Sequence, residues 1–291
     1  MIYLLLSILA SSLILITFKL FVKYNVDTLQ AIVVNYIVAS ISGIIAYSQP
    51  IKIYSVIKSD WFFGTIILGF IFILVFNLMA ITTQKNGLSV AAVASKMSVV
   101  IPVVFGIVVY KESTGILKII GILIALIAVY MTSIKTTDGI SIKKENLIYP
   151  LSVFLGGGII DTSIKFMETN YVANLDVPIF SATIFGFAAI VGILILVYKT
   201  VQGTIKISSK NIIAGICLGV PNYFSIYFLI QALRNESMDS STVFIINNVA
   251  ILLVSTLVGI IFFSEKLILK NWIGIILAII SILLVTFSIN L

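Results

Sequence analysis

The second half of this chain repeats a pattern found in the first half. Three residues recur 153 positions later, each in a similar apolar setting: Gly106 as Gly259, Glu112 as Glu265, and Gly121 as Gly274. Each copy contains an odd number of apolar segments, so the second copy enters a bilayer in the opposite direction from the first. The repeat therefore predicts a first five-helix repeat over residues 1–134, a connecting loop over 135–146 and a second, inverted repeat over 147–291.

The apolar segments are long enough to cross a membrane. A helix needs about 20 apolar residues to span roughly 30 Å of hydrocarbon. With 60% hydrophobic and 10% charged residues, the chain has too little polar surface for a soluble protein of this size. We therefore predict an all-α integral membrane protein in a cell membrane, plasma or inner, with ten transmembrane helices. The predicted segments are 2–22, 28–47, 61–83, 88–110, 115–134, 147–168, 177–198, 211–232, 240–263 and 270–290.

Several function classes are disfavoured by what the sequence lacks. It contains no His, and Cys217 is its one cysteine, which argues against histidine proton relays and thiolate metal sites. The loops are short and carry no GxxxxGK[ST] phosphate loop, so ATP-driven transport by this chain is not expected. Gly156, Gly157 and Gly158 lie inside an apolar segment, which favours close helix packing or a local break. The sequence predicts neither an enzyme nor a bound cofactor or metal.

The net charge of +7 does not point to nucleic acid. Most lysines lie between the apolar segments, where they anchor a membrane protein to lipid headgroups. The expected partners are therefore a lipid bilayer and a small-molecule substrate, with a proton or counter-substrate as a possible coupling partner. The chain is expected to be a monomer or a homodimer.

The repeated motif resembles a known family. The fourth and ninth segments begin with small residues, each segment ends with an acid, and a glycine follows that acid nine residues later. Together with Ala232-Leu233-Arg234 and Lys19, this pattern resembles the EamA-type family of the drug/metabolite transporter superfamily over essentially the whole chain. The resemblance implies a secondary transporter. Its central cavity is surrounded by the third, fourth, eighth and ninth segments, with the first and sixth, while the fifth and tenth pack outside.

The sequence also departs from the family pattern. Ser11-Ser12 replaces a Trp-Gly pair, and Asn35 stands in place of the usual arginine of the second segment. Pro102 lies closer to its closing acid than the family proline. Because these positions lie on the segments that face the cavity, the resemblance implies a fold and an activity class but no particular cargo.

Polar residues inside apolar segments are the candidate site residues. A central ion costs about 2.5 to 3.5 kcal/mol on insertion scales, so such residues persist where they meet water, a partner or a ligand. Asp161 is the coupling or proton candidate, since it is the acid placed well inside a segment. The substrate-binding candidates are Lys19, Asn77, Lys96, Lys165, Asn222, Tyr223, Tyr227, Asn247 and Asn248.

Lys96 is the strongest of these candidates. It lies about 12 Å along the fourth segment, deeper than a lysine comfortably snorkels. Either Lys96 contacts the substrate, or it is permanently paired with Asp161 or with backbone carbonyls.

Lys19 and Lys165 are counterparts in the two repeats. Each lies near the end of its segment, where snorkelling to the interface explains it without function. The inverted arrangement places Lys19 in the same membrane half as Lys96. It places Lys165 with Asn247 and Asn248 in the other half. The two groups of residues could then act as two alternating half-sites, one in each membrane half.

Asp161 and the polar residues of the second repeat each allow two interpretations. Asp161 precedes Lys165 by four residues, so the two could form an ion pair on one helix face, while a proton-coupling acid is the alternative. The group Asn222, Tyr223 and Tyr227, after Pro221, suits a substrate pocket or helix packing alike. Asn247 and Asn248 could also form an interhelical hydrogen-bond clamp.

Three lysines against one acid would make the cavity basic. We therefore predict a secondary active transporter that moves a small anionic or zwitterionic metabolite, such as an amino acid or organic anion, by alternating access. A channel, or a structural or lipid-handling membrane protein, is the alternative.

Overall fold

The computed structural model describes residues 1–86, 88–112, 115–133, 146–203, 207–234, 238–263 and 267–287. Within these ranges the description does not extend to the side chains of residues 19, 22, 80, 83–86, 88–90, 92, 132 and 133. Two residues singled out in the sequence are affected. The side chain of Lys19 and the whole of Glu265 lie outside the described part of the chain.

Long helices joined by short turns make up the described chain, as expected where every backbone N–H in hydrocarbon must be bonded within its own segment. A short 3-10 helix over Asn174–Asp176 precedes α9. The helices are α1 (Ile2–Lys23), α2 (Thr28–Ala46), α3 (Ile53–Ile57), α4 (Phe62–Asn86), α5 (Leu88–Met97), α6 (Val100–Val109), α7 (Ile116–Ser133), α8 (Ile148–Asn170), α9 (Val177–Val201), α10 (Ser209–Leu233), α11 (Ser240–Phe263) and α12 (Leu269–Phe287).

Six helical stretches are long and apolar enough, by length and composition, to cross a membrane. They are Thr28–Ala46, Phe62–Met79, Asn174–Val201, Ser209–Leu233, Ser240–Phe263 and Leu269–Phe287. α8, which carries Asp161, Lys165 and Glu168, is not among them. The chain is an all-helical, multi-pass membrane protein in its described part, and the full count of ten spans stays a prediction.

The fourth predicted segment is the one that differs, because it is split into α5 and α6. Pro102 has no N–H to donate to the Ser98 carbonyl one turn earlier, and its ring crowds that carbonyl. The Ser98 carbonyl instead accepts the backbone N–H of Ile101 at 3.0 Å. The helix therefore breaks at Ser98 and Val99, as helices commonly do next to a proline.

Helices from the two halves of the chain pack against each other. α10 packs on α1 and α2, and α9 packs on α2 and α4, while α8 lies against α4, α5 and α6. A first buried cluster of α2, α4, α8, α9 and α10 centres on the fully buried rings of Tyr36, Phe180 and Phe185. A second cluster joins α1, α6, α7, α10, α11 and α12. The core therefore depends on contacts between the halves.

α7 and α12 form a pair. The Ser281 hydroxyl donates to the Gly121 carbonyl at 2.9 Å, and a Cβ on Gly121 would lie 2.6 Å from a methyl of Val285. The Asn271 amide donates to the Met131 carbonyl at 2.9 Å. The repeated glycine at position 121 thus permits close packing of these two helices, which are the fifth and tenth predicted segments.

Candidate functional site

The break between α5 and α6 places Lys96 at the end of a half-helix. Lys96 lies in the last turn of α5, where the unpaired carbonyls and the helix dipole favour a positive charge. Its ammonium donates to the Oδ1 of Asn248 on α11 at 3.4 Å. The Asn248 amide nitrogen donates to the Phe244 carbonyl at 3.0 Å, which aims Oδ1 away from its own backbone.

The contact between Lys96 and Asn248 lies near the middle of the molecule. Each residue is eight positions from the start of its helical segment, or about 12 Å along the axis. α5 and α11 start from opposite ends, because the Glu112 side chain, which follows α6, bonds the first backbone N–H groups of α11. Lys96 and Asn248, predicted in different half-sites, therefore meet at one centre.

α8 brings an acid to the same centre. A Cβ on Gly157 would lie 2.9 Å from the Ser98 hydroxyl, and a Cβ on Gly158 would lie 2.3 Å from the Ile101 side chain. The glycine run therefore packs directly on the break, and since α8 continues through it, the close-packing interpretation is confirmed. Asp161 follows Gly157 by one turn, and its carboxylate interacts electrostatically with the Lys96 ammonium. We call Lys96, Asp161 and Asn248 the central site.

The central site is polar but incompletely paired. Lys96, Asp161 and Asn248 are all half-buried. Two neighbours in sequence carry buried polar atoms that have no hydrogen-bond partner, the Thr162 hydroxyl beside Asp161 and the Oδ1 of Asn247. Buried polar groups are normally satisfied, so such orphans next to charged residues are typical of a place that takes water or a ligand.

A cavity of about 590 Å³ opens at one end of the bundle. It lies where α6, α8 and α10 end and α11 begins, and we call it the end cavity. Its volume is within the usual range for small-molecule pockets. The lining residues are Tyr110, Glu112, Lys165, Glu168, Thr169, Val172, Asn174, Leu233, Arg234, Met238, Asp239 and Ser240.

Three charged residues tie α8 to α10 at this cavity, and we call Lys165, Glu168 and Arg234 the salt-bridge cluster. One Glu168 oxygen lies 2.9 Å from Arg234 Nε, and the other lies 3.2 Å from the Lys165 ammonium. Lys165 also donates to the carbonyl of Leu233, the last residue of α10, at 3.3 Å. The side chain of Glu168 is only 5% exposed, so its charge is compensated by these two cations rather than by solvent.

Arg234 also holds the turn that follows α8. Its guanidinium donates to the Val172 carbonyl at 2.6 Å and to the side-chain oxygen of Asn174. The arginine of the Ala-Leu-Arg step is thus a structural tie among α8, α10 and the turn between α8 and α9.

Glu112 explains part of the repeated motif. Its carboxylate accepts the backbone N–H groups of Ser240 and Ser241, each at 3.0 Å, and also their hydroxyls. It therefore caps the positive end of α11. A Cβ on Gly106 would lie 2.8 Å from this carboxylate, so the motif glycine leaves space for the motif acid. The buried Lys118 completes the arrangement, 2.7 Å from Asp239 and 3.9 Å from Glu112.

The structure gives Lys165 a different acid from the one expected. Lys165 pairs with Glu168 three residues later, whereas Asp161 interacts electrostatically with Lys96 and has no ion pair within 4.0 Å among the described residues. A second acid, Glu168, also belongs to α8 and is 6% exposed, so Asp161 is not the only acid to be considered in this predicted segment. Glu168 was not considered as a partner because it lies at the end of an apolar segment. Its spacing of three residues from Lys165 is the signal that would have indicated the ion pair.

The remaining candidates fall into three places. Asn222 donates to Asn35 at 3.0 Å between α10 and α2, where both are buried. Tyr223 is fully buried in the first cluster and stacks on Tyr227, and its hydroxyl has no partner. The Asn77 amide donates to the Ile73 carbonyl of its own helix.

The structure thus brings Lys96, Asp161 and Asn248 together and places Lys165 at the end cavity. Asn222 and Tyr223 lie buried among packed helices.

Known proteins share this fold and part of this sequence. The EamA-like transporter family matches residues 1–134, the residues predicted to form the first repeat. A protein of Haemophilus influenzae, described as uncharacterized, is 28% identical over 286 residues, or 95% of this chain and 94% of its own. A solved crystal structure of a protein superposes with a TM-score of 0.80 at 12% identity, covering 99% of this chain and 96% of the other, and this likeness shows the fold alone.

The predicted resemblance is therefore confirmed. With its apolar helices, the protein is a multi-pass membrane protein whose residues 1–134 match the EamA-like transporter family, which is consistent with a transporter of the EamA type in the drug/metabolite transporter superfamily. Members of this family are transporters rather than enzymes.

Proposed function

We propose that the protein is a secondary active transporter that carries a small zwitterionic or anionic metabolite, such as an amino acid, by alternating access. The observation that carries this proposal is the broken helix, where Lys96 of α5 meets Asn248 of α11 opposite Asp161 of α8. Half-helices that end near the middle of a membrane present charged or polar groups to solutes in transporters built from inverted repeats. The proposal includes ten spans in two inverted repeats, in a plasma or inner membrane.

The charges of the central site narrow the expected class of substrate to solutes that carry both a positive and a negative group. Three cavity lysines were expected from the sequence, but Lys165 is compensated by Glu168. The central site then offers one cation, Lys96, and one acid, Asp161, together with amide groups. A solute that carries both a carboxylate and an ammonium matches this balance better than a multiply charged anion does.

A ligand screen on purified protein tests the proposal. The panel contains free amino acids, small monocarboxylates and dicarboxylates, and phosphorylated sugars, and the readout is the unfolding midpoint. A ligand present at 100 times its dissociation constant stabilises the folded state by about 2.7 kcal/mol. We expect an amino acid to raise the midpoint of the parent protein and of the exposed-lysine control Lys52→Met, but not that of Lys96→Met.

Other outcomes would favour the alternatives. An equal shift in Lys96→Met would place the ligand elsewhere. If no panel member shifts the midpoint, and reconstituted protein shows no solute flux, a structural or lipid-handling role would replace transport. Unsaturable conductance would indicate a channel.

Asp161 is the proposed coupling residue. If it carries the coupling proton, Asp161→Asn retains ligand binding but loses the dependence of uptake on an imposed proton gradient. Gradient-driven uptake that persists unchanged in Asp161→Asn would assign coupling to another group or to exchange with a counter-substrate.

A further inference from the structure

We propose that Lys165 is an exchangeable counter-ion that couples occupation of the central site to opening of the end cavity. In the observed state Lys165 pairs with Glu168. When a ligand carboxylate pairs with Lys96, Asp161 loses the cation that compensates its charge and attracts Lys165 away from Glu168. The contact between α8 and α10 then weakens. This inference rests on the proposed transport function, because a transporter needs its site and its gate to be linked.

The spacing of charges along α8 makes the exchange possible. Asp161, Lys165 and Glu168 follow one another at intervals of four and three residues, so all three lie on one helix face. An acid four residues before a lysine is the more favourable orientation for an ion pair on a helix. The flexible stem of Lys165 therefore has an acid within reach on either side, and its side chain is 14% exposed in the observed state.

The outer partner of Lys165 is part of a tie between helices. Glu168 is shared by Lys165 and by Arg234, which follows the last residue of α10. Lys165 itself bonds the Leu233 carbonyl of α10 at 3.3 Å. If Lys165 moves toward Asp161, α10 loses that bond and Glu168 loses one of its two cations, so the contact between α8 and α10 at the end cavity weakens.

The inner partner is available when Lys96 is neutralised. The charge of Lys96 acts on Asp161, and Asp161 has no ion pair within 4.0 Å among the described residues. A partly buried acid that loses its compensating cation is destabilised, and another cation within reach offsets that loss. Lys165 is a cation of the required sign, one turn away on the same helix.

Position 162 on α8 is suited to detecting whether the end cavity opens. Thr162 lies two turns before Thr169 on the same face of α8, and Thr169 lines the end cavity. The Thr162 hydroxyl is buried in the observed state. A cysteine at position 162 should therefore react with a hydrophilic maleimide only when the salt-bridge cluster opens. The native Cys217 is exposed, so every variant in this test also carries Cys217→Ser, and the rate of Thr162→Cys in that background is the reference.

The test compares maleimide reaction rates at Thr162→Cys in purified protein without any ligand. Lys96→Met imitates a neutralised lysine, and we expect it to raise the rate about tenfold, equivalent to about 1.4 kcal/mol. Adding Asp161→Asn to Lys96→Met should return the rate to the parent value, because nothing then attracts Lys165. Glu168→Gln breaks the tie directly and should raise the rate with or without Asp161.

Two controls separate gating from general loosening. Asn170→Cys, exposed at the end of α8, should react equally fast in every background. Ala188→Cys, at a position that is 0% exposed in the core, should stay unreactive.

Three results would overturn the inference: an unchanged rate in Lys96→Met, a double variant as fast as Lys96→Met alone, or a parallel rise at Ala188→Cys. Because the readout is accessibility and not flux, the reversal by Asp161→Asn can succeed even if no panel ligand binds, so the two proposals fail separately.

Discussion

The fourth and ninth segments are predicted to be copies of one sequence, yet only the ninth is a continuous helix in the structure. α11 runs unbroken over Ser240–Phe263, whereas its counterpart is split into α5 and α6. Pro102 corresponds to Ser255 at the repeat interval, and Lys96 corresponds to Val249. The ends of the two segments kept the glycine and the acid, while their centres diverged.

The difference shows which part of the repeat serves architecture and which part serves the site. Gly106 and Glu112 form a cap on α11. The break and its lysine occur once, and they meet an asparagine of the unbroken helix. On the predicted repeat, the residues that the two segments share belong to helix contacts, and the residues that differ mark the place where we expect the substrate to bind.

The largest expected effect comes from interrupting α11, the continuous helix. Ser255→Pro removes a backbone donor in the interior of α11 and should destabilise the protein by about 3 kcal/mol. The measurement is the unfolding midpoint in detergent. The matched control Ser255→Ala loses only the hydroxyl bond to Leu252 and should cost about 1 kcal/mol. Equal stability of the two variants would mean that α11 tolerates a break as its counterpart does.

A second change tests the shared motif. Glu112→Ala removes the cap of α11 and leaves Lys118 with one acid, so we expect a loss of about 2 kcal/mol in the free energy of unfolding. Gly106→Ala should displace the same carboxylate and cost about 1 kcal/mol. Gly115→Ala, where an added Cβ meets nothing within 4 Å, is the control.

The double variant of Gly106 and Glu112 decides whether the two residues act together. If the glycine serves the acid, the combined loss should not exceed that of Glu112→Ala alone. Additive losses would separate the glycine from the cap.

The smallest expected change in stability comes from repairing the break. Pro102→Ala gives position 102 an N–H for the Ser98 carbonyl and should raise the free energy of unfolding by about 1 kcal/mol. Because a continuous helix would move Lys96 away from Asn248, ligand binding should weaken in the same variant. A more stable protein with unchanged ligand affinity would show that the site does not depend on the break.

The frame was largely predictable from sequence, because apolar periodicity and turn clusters depend on local composition. The predicted segments lie close to the observed helices, and the close packing of Gly156, Gly157 and Gly158 was anticipated. The choice of ion-pair partners was not. Asp161 and Glu168 are both within one turn of Lys165, and the difference between them comes from Lys96 and Arg234, which arrive from other helices. The split at Ser98 was missed although Pro102 was noted, because prolines also occur in continuous helices, as Pro221 does in α10.

Solute counterflow in proteoliposomes tests the central claim most directly. Vesicles are loaded with an unlabelled ligand identified in the thermal screen, and uptake of the labelled ligand is followed over time. We predict transient accumulation with the parent protein and with Lys52→Met, and none with Lys96→Met reconstituted at the same density. Equal accumulation with Lys96→Met, or simple equilibration without an overshoot in the parent protein, would contradict transport through a site at the broken helix.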